Sequence, residues 1–382
     1  MKKAILTIIT ILWAVLASAQ ESQTEYNFLR LPVSAHAAAL GGDNITIIED
    51  DEALIFNNPA LLSSVSDKTI NLNYMNYMSG VNTASAAFNR VVKEKASWAV
   101  SAQLMSYGTM KEMDENNTQT GEFSAKDIAF AGYFSYMLSN RLAGGITAKF
   151  ITSYIGNYNS IGMGVDLGLN YYDPESDLSI ALVAKNLGGQ LKAYNDTYEN
   201  MPIDVQLGAS KQLTHTPFRF SATLVDLNHW NYKFINHLVF GVDISLSHNI
   251  WVGGGYNFRR ANEMQIENGE EKSSHGAGLS FGGGVNLERF KLNVAYGKYH
   301  VSSSSSPGTG IVRPGRPRSM HRVSHPMAAA VVGNVMTSAG RFSLMAIPPK
   351  RYGRTTRTAC SIFSTITYMF VTSPTASWSL MP

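Results

Sequence analysis

From Lys68 onward the chain alternates apolar and polar residues with a period of two. In "SIGMGVDLGLNYY", Ile161, Met163, Val165, Leu167 and Leu169 fall on one face, and Gly162, Gly164, Asp166, Gly168 and Asn170 on the other. "HLVFGVDISLS" sets Leu238, Phe240, Val242, Ile244 and Leu246 against Val239, Gly241, Asp243, Ser245 and Ser247. "PIDVQLGASKQL" and "RFKLNVAYGK" repeat the pattern. This alternation predicts strands with one apolar and one polar face. About thirteen are expected between Lys68 and Val301, starting near residues 69, 82, 97, 123, 141, 159, 177, 202, 217, 236, 250, 275 and 289. Residues 20–67 alternate little.

Which face points inward decides the class. Strands of soluble sandwiches run to about 5–6 residues, whereas several runs here last roughly 9–14, the length of a tilted strand crossing a bilayer. The non-apolar faces carry Gly, Ser, Asn and isolated charges, as a barrel lumen does when the apolar face meets lipid. Trp98, Trp230 and Trp251 stand near predicted strand ends, where an interfacial girdle would place them. The expected fold is all-β, a transmembrane antiparallel β-barrel of about 14 strands with a short N-terminal plug-like segment. A soluble β-rich protein is the competing reading. Barrels of a single bacterial chain have even strand numbers, so a closing strand is expected after "NVAYGKYHVSSSSS".

Composition divides the chain. Residues 302–382 hold eight Arg, one Lys and no Asp or Glu, together with eight of the 13 prolines. That leaves 22 of the 31 bases against all 28 acids in residues 1–301. "PGTGIVRPGRPRSMHRVSHP" lacks alternation and has too many prolines for ladder positions. Residues 302–382 are therefore expected to be either a basic extension or an out-of-frame translation begun near Ser302–Ser306. The single cysteine, Cys360, excludes an intramolecular disulfide. At the other end, "MKKAILTIITILWAVLASAQ" has two lysines, a short apolar run and Ala17-Ser18-Ala19, the pattern of a secretory signal peptide ending at residue 19.

Candidate chemistry is sparse. The nine histidines are scattered without a metal-ligand spacing. Glu49-Asp50-Asp51-Glu52 reads as a solvated loop rather than a cation site, lacking the spaced ligands and Gly of a calcium loop. The glycine runs at 253–255 and 282–284 fall inside strands, which suits curvature or close packing. In "ALIFNNPALLSS", Asn57 or Asn58 can cap a short helix with Pro59 in its first turn. No catalytic residue, cofactor, metal or nucleic-acid partner is expected.

"LPVSAHAAALGGDNITIIEDDEALIFNNPALLSSV", with Gly41-Gly42 and Asn58-Pro59-Ala60, resembles the N-terminal segment of the FadL-like outer-membrane superfamily. "VAKNLGGQLKAY", with Asn186-Leu187-Gly188, resembles a mid-barrel signature of its PorV/PorQ branch in Bacteroidetes, which serves type IX secretion. The resemblance covers about residues 20–301. It implies a signal peptide (1–19), a plug-like segment (20–67), an outer-membrane barrel (68–301) and an atypical tail (302–382). It also implies a non-enzymatic scaffold of the attachment complex, docking PorU-, PorV- and PorZ-like proteins in outer-membrane lipid beside anionic lipopolysaccharide. The polar connections Lys111–Glu122, Lys192–Asn200 and Asn262–Ser274 are the expected docking loops. The alternative is a FadL-like transporter or channel for a hydrophobic solute. Resequencing across the serine codons decides the tail: a frame change there should restore an acid-containing, alternating continuation, and an intact frame would leave a basic extension.

Overall fold

The computed structural model describes residues 24–298 and 306–312, apart from a few short internal stretches. The signal peptide, Trp230, Cys360 and the tail beyond Val312 lie outside the described residues. Fourteen antiparallel strands close a barrel. The first seven are β1 (Ile70–Met78), β2 (Val81–Val92), β3 (Ala96–Met113), β4 (Gln119–Ser139), β5 (Leu142–Ile155), β6 (Tyr158–Asp173) and β7 (Leu178–Lys192). Then follow β8 (Asp204–Gln212), β9 (Phe218–Leu224), β10 (Leu238–Ser247), β11 (Ile250–Asn257), β14 (Leu279–Asn286), β15 (Phe290–Gly297) and β16 (Ser306–Val312). Between β11 and β14 lie a short helix and a separate hairpin, β12 (Ile266–Asn268) with β13 (Glu271–Ser273).

The thirteen predicted strands are all present, each starting within a few residues of its expected position. The fourteenth lies inside the segment expected to be an atypical tail, so the barrel runs to Val312 rather than 301. β16 pairs with β1 on one side and β15 on the other, Leu72 and Leu292 both lying opposite Gly310. Pro307 is tolerated because it sits at the strand's start, opposite Met75 of β1, before pairing with β15 begins at Gly308. Closure leaves no edge strand unpaired, the condition for a sheet in hydrocarbon. Among the described residues no helix is long and apolar enough to cross a membrane.

The alternation resolves as expected. Val100, Phe130, Phe150, Met163, Leu207 and Phe281 point outward and are exposed, while Ser101, Thr147, Asp166, Gln206 and Ser280 point inward and are buried. Apolar side chains turn to lipid and the polar face lines the lumen. Trp98 fits the girdle, but Trp251 does not: it is buried against the lumenal segment. Its neighbours Ile250 and Val252 point outward, so the strand's parity turns it inside.

One end of the barrel has short turns, such as Ser139 to Leu142 and Ser247 to Ile250; the other carries the long connections between β7 and β8, β9 and β10, and β11 and β14. The expected loop Lys111–Glu122 is mostly strand, because β3 continues to Met113 and β4 begins at Gln119. Within the expected loop Asn262–Ser274 lie the helix end at Glu263 and the β12–β13 hairpin.

Residues 24–67 thread the lumen from the long-loop end to the short-turn end. Thr24 bridges to Asn200, and the Tyr26 hydroxyl bonds Ser160 near the start of β6. Helix α1 (Ala35–Ala39) is capped by Ser34 and ends at Gly41-Gly42. Both glycines have positive φ (105° and 107°), and Gly42 donates back to the Ala37 carbonyl at 2.8 Å. That is a helix C-cap only glycine adopts without strain, and it reverses the chain. The 3-10 helix Pro59–Ser64 follows, with Asn58 accepting from the Ala60 N–H at 2.9 Å. Asn57 instead ends the preceding 3-10 helix, Glu52–Phe56, and its amide holds the Gly42 carbonyl. At the short-turn end the Thr69 N–H donates to Asn89 and the chain enters β1.

The core is the seam between this segment and the inner wall. Tyr26, Phe28 and Leu29 pack on Met105, Ala129 and Ile151; Ile55, Leu62 and Val65 pack on Ala87, Ala99 and Tyr133. Small wall residues make the room. A side chain at Gly145 would overlap the Pro59–Ala60 backbone, and one at Gly255 the Leu40–Gly41 backbone. Gly255→Val should therefore lower stability by about 1–3 kcal/mol, as overpacking does, and open residues 24–67 to limited proteolysis. Gly132→Ala, where an added carbon meets nothing, should leave the cleavage pattern unchanged.

Candidate functional site

Three polar assemblies line the lumen. The first fastens the plug to the wall. His36, fully buried on α1, has Nδ1 3.0 Å from Glu49 Oε2 and Nε2 2.9 Å from Asp243 Oδ1 on β10. Arg219 on β9 donates to Glu49 Oε1 at 2.7 Å and to Asp243 Oδ2 at 2.8 Å. The imidazole stacks on Trp251 with centroids 3.7 Å apart, and the indole N–H donates to Asn293, which in turn donates to Asp51. Burial would lower the His36 pKa, but the Glu49 and Asp243 carboxylates outweigh it and raise it to about 9. Glu49 is held well below the usual carboxylate range, His36 and Arg219 overriding its burial.

The acidic run is thus not a solvated loop. Glu49 belongs to the lock, Asp51 caps the 3-10 helix Glu52–Phe56 from a buried position, and Glu52 is wholly buried. Neither Glu52 oxygen has a hydrogen-bond partner among the described residues. Burial, reinforced by Asp51, pushes the Glu52 pKa up to about 8; burial also raises that of Asp51 to about 6. Among the described residues no group of three or more His, Cys, Asp or Glu is placed to hold a metal.

The second assembly explains the mid-barrel motif. The β6–β7 register slips between Val165 and Leu167, which makes a bulge at Lys185–Asn186. Asn186 takes a positive φ of 58° and is tied three ways. Its N–H donates to Asp166 at 2.7 Å, its amide to the Pro202 carbonyl at 3.0 Å, and its Oδ1 accepts from Lys149 at 2.8 Å. Lys149 also pairs with Asp166 at 2.7 Å. A side chain at Gly188 would overlap the Met163 carbonyl, while Leu187 lies opposite Val165. Asn186, Leu187 and Gly188 therefore shape the wall. Gly41, Gly42, Asn58, Pro59 and Ala60 shape the plug.

The third is a cavity of about 190 Å³ at the long-loop end, between the plug, the bulge, the β9–β10 connection and α2 (Phe258–Glu263). Its lining mixes apolar residues, Leu29, Leu31, Pro32 and Val225, with charged ones. Asp226 accepts from Arg30 at 3.4 Å and pairs with Arg259, and Arg259 also bonds Glu263 at 2.6 Å. Arg260 donates to the Gly41 carbonyl at 2.6 Å, joining α2 to the plug. Apart from Asn186, a motif residue, and Glu263, inside an expected docking loop, the cavity's lining was not expected from sequence as a site. The available signal was isolated charges on otherwise small, polar strand faces, such as Asp166, Lys185 and Asp243.

No protein-family model matches the chain, and no curated protein does. Among solved structures, matches include the Pseudomonas putida toluene transporter TodX, at 13% identity and a TM-score of 0.47, covering 74% of this chain and 97% of that one. The CymD monoaromatic hydrocarbon channel matches at 13% identity and a TM-score of 0.46, covering 74% and 95%. A Pseudomonas aeruginosa FadL homologue matches at 9% and 0.43, covering 73% and 97%.

The lock has a defined pH window. His36 is raised above its ordinary value near 6.5, so its contribution is complete below that pH and lost as pH rises through about 9. Glu49 is lowered, so its contribution is present above its ordinary value near 4.5 and lost only in strong acid. Glu52 and Asp51 are raised acids, and their burial costs increasing stability as pH climbs toward about 8 and about 6. Plug stability should therefore peak near pH 5 and fall toward pH 9, read as amide hydrogen exchange over residues 24–67. Glu52→Gln should flatten the fall between pH 5 and 8. His36→Gln should cost on the order of 3 kcal/mol at pH 7 by leaving buried carboxylates short of a partner.

Proposed function

We propose that the chain is a non-enzymatic outer-membrane barrel that takes up a small hydrophobic or amphipathic solute at its long-loop end. One observation carries this reading: plug and barrel line the long-loop cavity together, and its lining mixes apolar residues such as Leu29, Leu31 and Val225 with charged ones. A solute seated there touches both the fixed and the threaded part, so occupancy and plug position are linked. Short turns face the periplasm and long loops the cell surface in outer-membrane barrels, which puts the cavity on the external side. The aromatic solutes named for TodX and CymD are the natural first probes.

A second reading, the type IX attachment scaffold, is favoured by a different observation. The plug is packed onto wall glycines and locked by buried ion pairs, which suits a rigid platform whose loops bind partners. In that case the connection 192–200, which holds the Thr24 bridge, is the leading docking loop.

Proteoliposomes carrying the purified chain should take up toluene or benzyl alcohol faster than protein-free vesicles. Leu31→Trp, which fills the cavity, should cut the excess several-fold. Uptake equal to that of empty vesicles would overturn the solute reading. Co-purification of PorU- and PorZ-like proteins with the chain would then support the scaffold.

A further inference from the structure

Strand parity fixes which polar residues stand on the outside of the barrel. On β4, Ala125 and Asp127 are buried toward the lumen, so Lys126 between them points outward and is exposed. On β5 the buried Ser153 turns Tyr154 outward, and on β6 the buried Ser160 turns Asn159 outward. Lys126 lies opposite Tyr154, and Tyr154 opposite Asn159, so the three form one row across neighbouring strands. Lys192, exposed at the end of β7 and opposite Ile161, reaches along the wall and donates to the Asn159 side chain. The Lys126 ammonium lies 5.2 Å from the centre of the Tyr154 ring, within the range of a cation–π contact. Two ammonium groups thus flank one tyrosine on the outer wall.

The height of this row follows from the apolar residues beneath it. Beyond Lys126, β4 turns Ile128, Phe130, Phe134, Tyr136 and Leu138 to the same outer face. From Ile128 to Leu138 the strand covers about 26 Å along the barrel axis, at ~3.4 Å per residue and a tilt of ~40°. That matches the ~25 Å apolar band of an outer-membrane barrel. Lys126 and the Lys192 ammonium therefore stand at the edge of the band, level with the lipid headgroups on the long-loop side. The two arginines of the short-turn rim are answered by the protein itself, Arg90 by Asp67 and Arg141 by Asp173 and Glu175. Among the described residues, neither Lys126 nor Lys192 has an ion pair with an acid. A pair of cations at headgroup height, facing lipid and lacking protein counter-charges, is complementary to lipid phosphate.

We propose that Lys126 and Lys192, with the Asn159 amide between them, seat the phosphorylated sugar headgroup of one outer-leaflet lipopolysaccharide molecule on the outside of β4–β7. Its acyl chains would lie along the outward Phe130, Phe150 and Met163. The seat is on the opposite side of the wall from the lumenal cavity and goes beyond the solute reading. The two share only the orientation that puts the long loops at the cell surface.

Native mass spectrometry of the full chain in detergent, with diphosphorylated lipid A as probe, tests the proposal. One lipid A should be retained per barrel, and dephosphorylated lipid A should bind about tenfold more weakly. Lys126→Gln and Lys192→Gln should each weaken lipid A by about fivefold, the worth of one lysine at an anionic lipid surface. The double variant should lose more than tenfold, and replacing both lysines by arginine should retain binding. Lys111→Gln, at an exposed lysine further out on β3, is the control and should bind as the wild type does. A second measurement needs no variant: lipid A should protect Lys126 and Lys192 of the wild-type chain from acetylation and leave Lys111 reactive. Equal retention of lipid A with and without its phosphates, wild-type binding by the double glutamine variant, or unprotected lysines would each overturn the proposal. So would phosphatidylglycerol or inorganic phosphate displacing lipid A at equal concentration.

Discussion

A sheet that crosses hydrocarbon must pair every backbone donor and acceptor within itself. Here that requirement falls hardest on the junction of β1 and β15, which share no register of their own and are joined through β16. Once they are joined, the circumference is set, and with it the width of the lumen the plug has to fill. The inner wall then adapts locally. Gly145, Gly168, Gly208 and Gly255 give up side chains where the plug backbone or its side chains come closest. Closure comes first, and the placement of the small residues follows from it.

A closed lumen lined by polar residues raises a second demand, because a plug seated against it buries charges that need partners. The chain meets this by putting the two halves of one network on different objects. His36 and Glu49 ride on the plug; Arg219 and Asp243 ride on β9 and β10. A buried network of this kind specifies position more than it adds stability, since an apolar seam of the same volume would serve as well energetically. What it fixes is the height of the plug: sliding by one residue would part His36 from Asp243 and Glu49 from Arg219, the two pairs that cross between plug and wall. Glu52, unpaired nearby, is the counterexample that shows the pairing elsewhere is not automatic.

Thirteen strands were legible in the sequence because a lipid-facing strand repeats every second residue, and that period survives any tertiary detail. The fourteenth was not. "SPGTGIV" has no such period, and its place is set by two neighbours, one of them more than two hundred residues earlier. Trp251 was misread for a related reason, since proximity to a strand end suggested the girdle while the parity of Ile250 and Val252 already turned it inward. The acidic run looked solvated because its partners, Arg219 and Asp243, stand far away in sequence. Motif residues were legible as shape: Gly41-Gly42 as a helix end, Asn58-Pro59 as a helix start. The bulge at Lys185–Asn186 was not, because a register slip belongs to a pair of strands and no single segment carries it.

That bulge links the wall to the chemistry of the cavity. An uninterrupted β7 would keep strict alternation, and one of two adjacent polar residues would then face lipid. The slip opposite Asp166 lets both stay buried: Lys185 lines the cavity, while Asn186 ties down Lys149 and Pro202. Asn186 thus holds Lys149 in its ion pair with Asp166, while Lys185 faces the cavity that the buried Asp43 also lines. A single irregularity of the sheet gives neighbouring residues different surroundings. A segment that looked like a family marker of shape alone therefore sets which of two lysines faces the cavity.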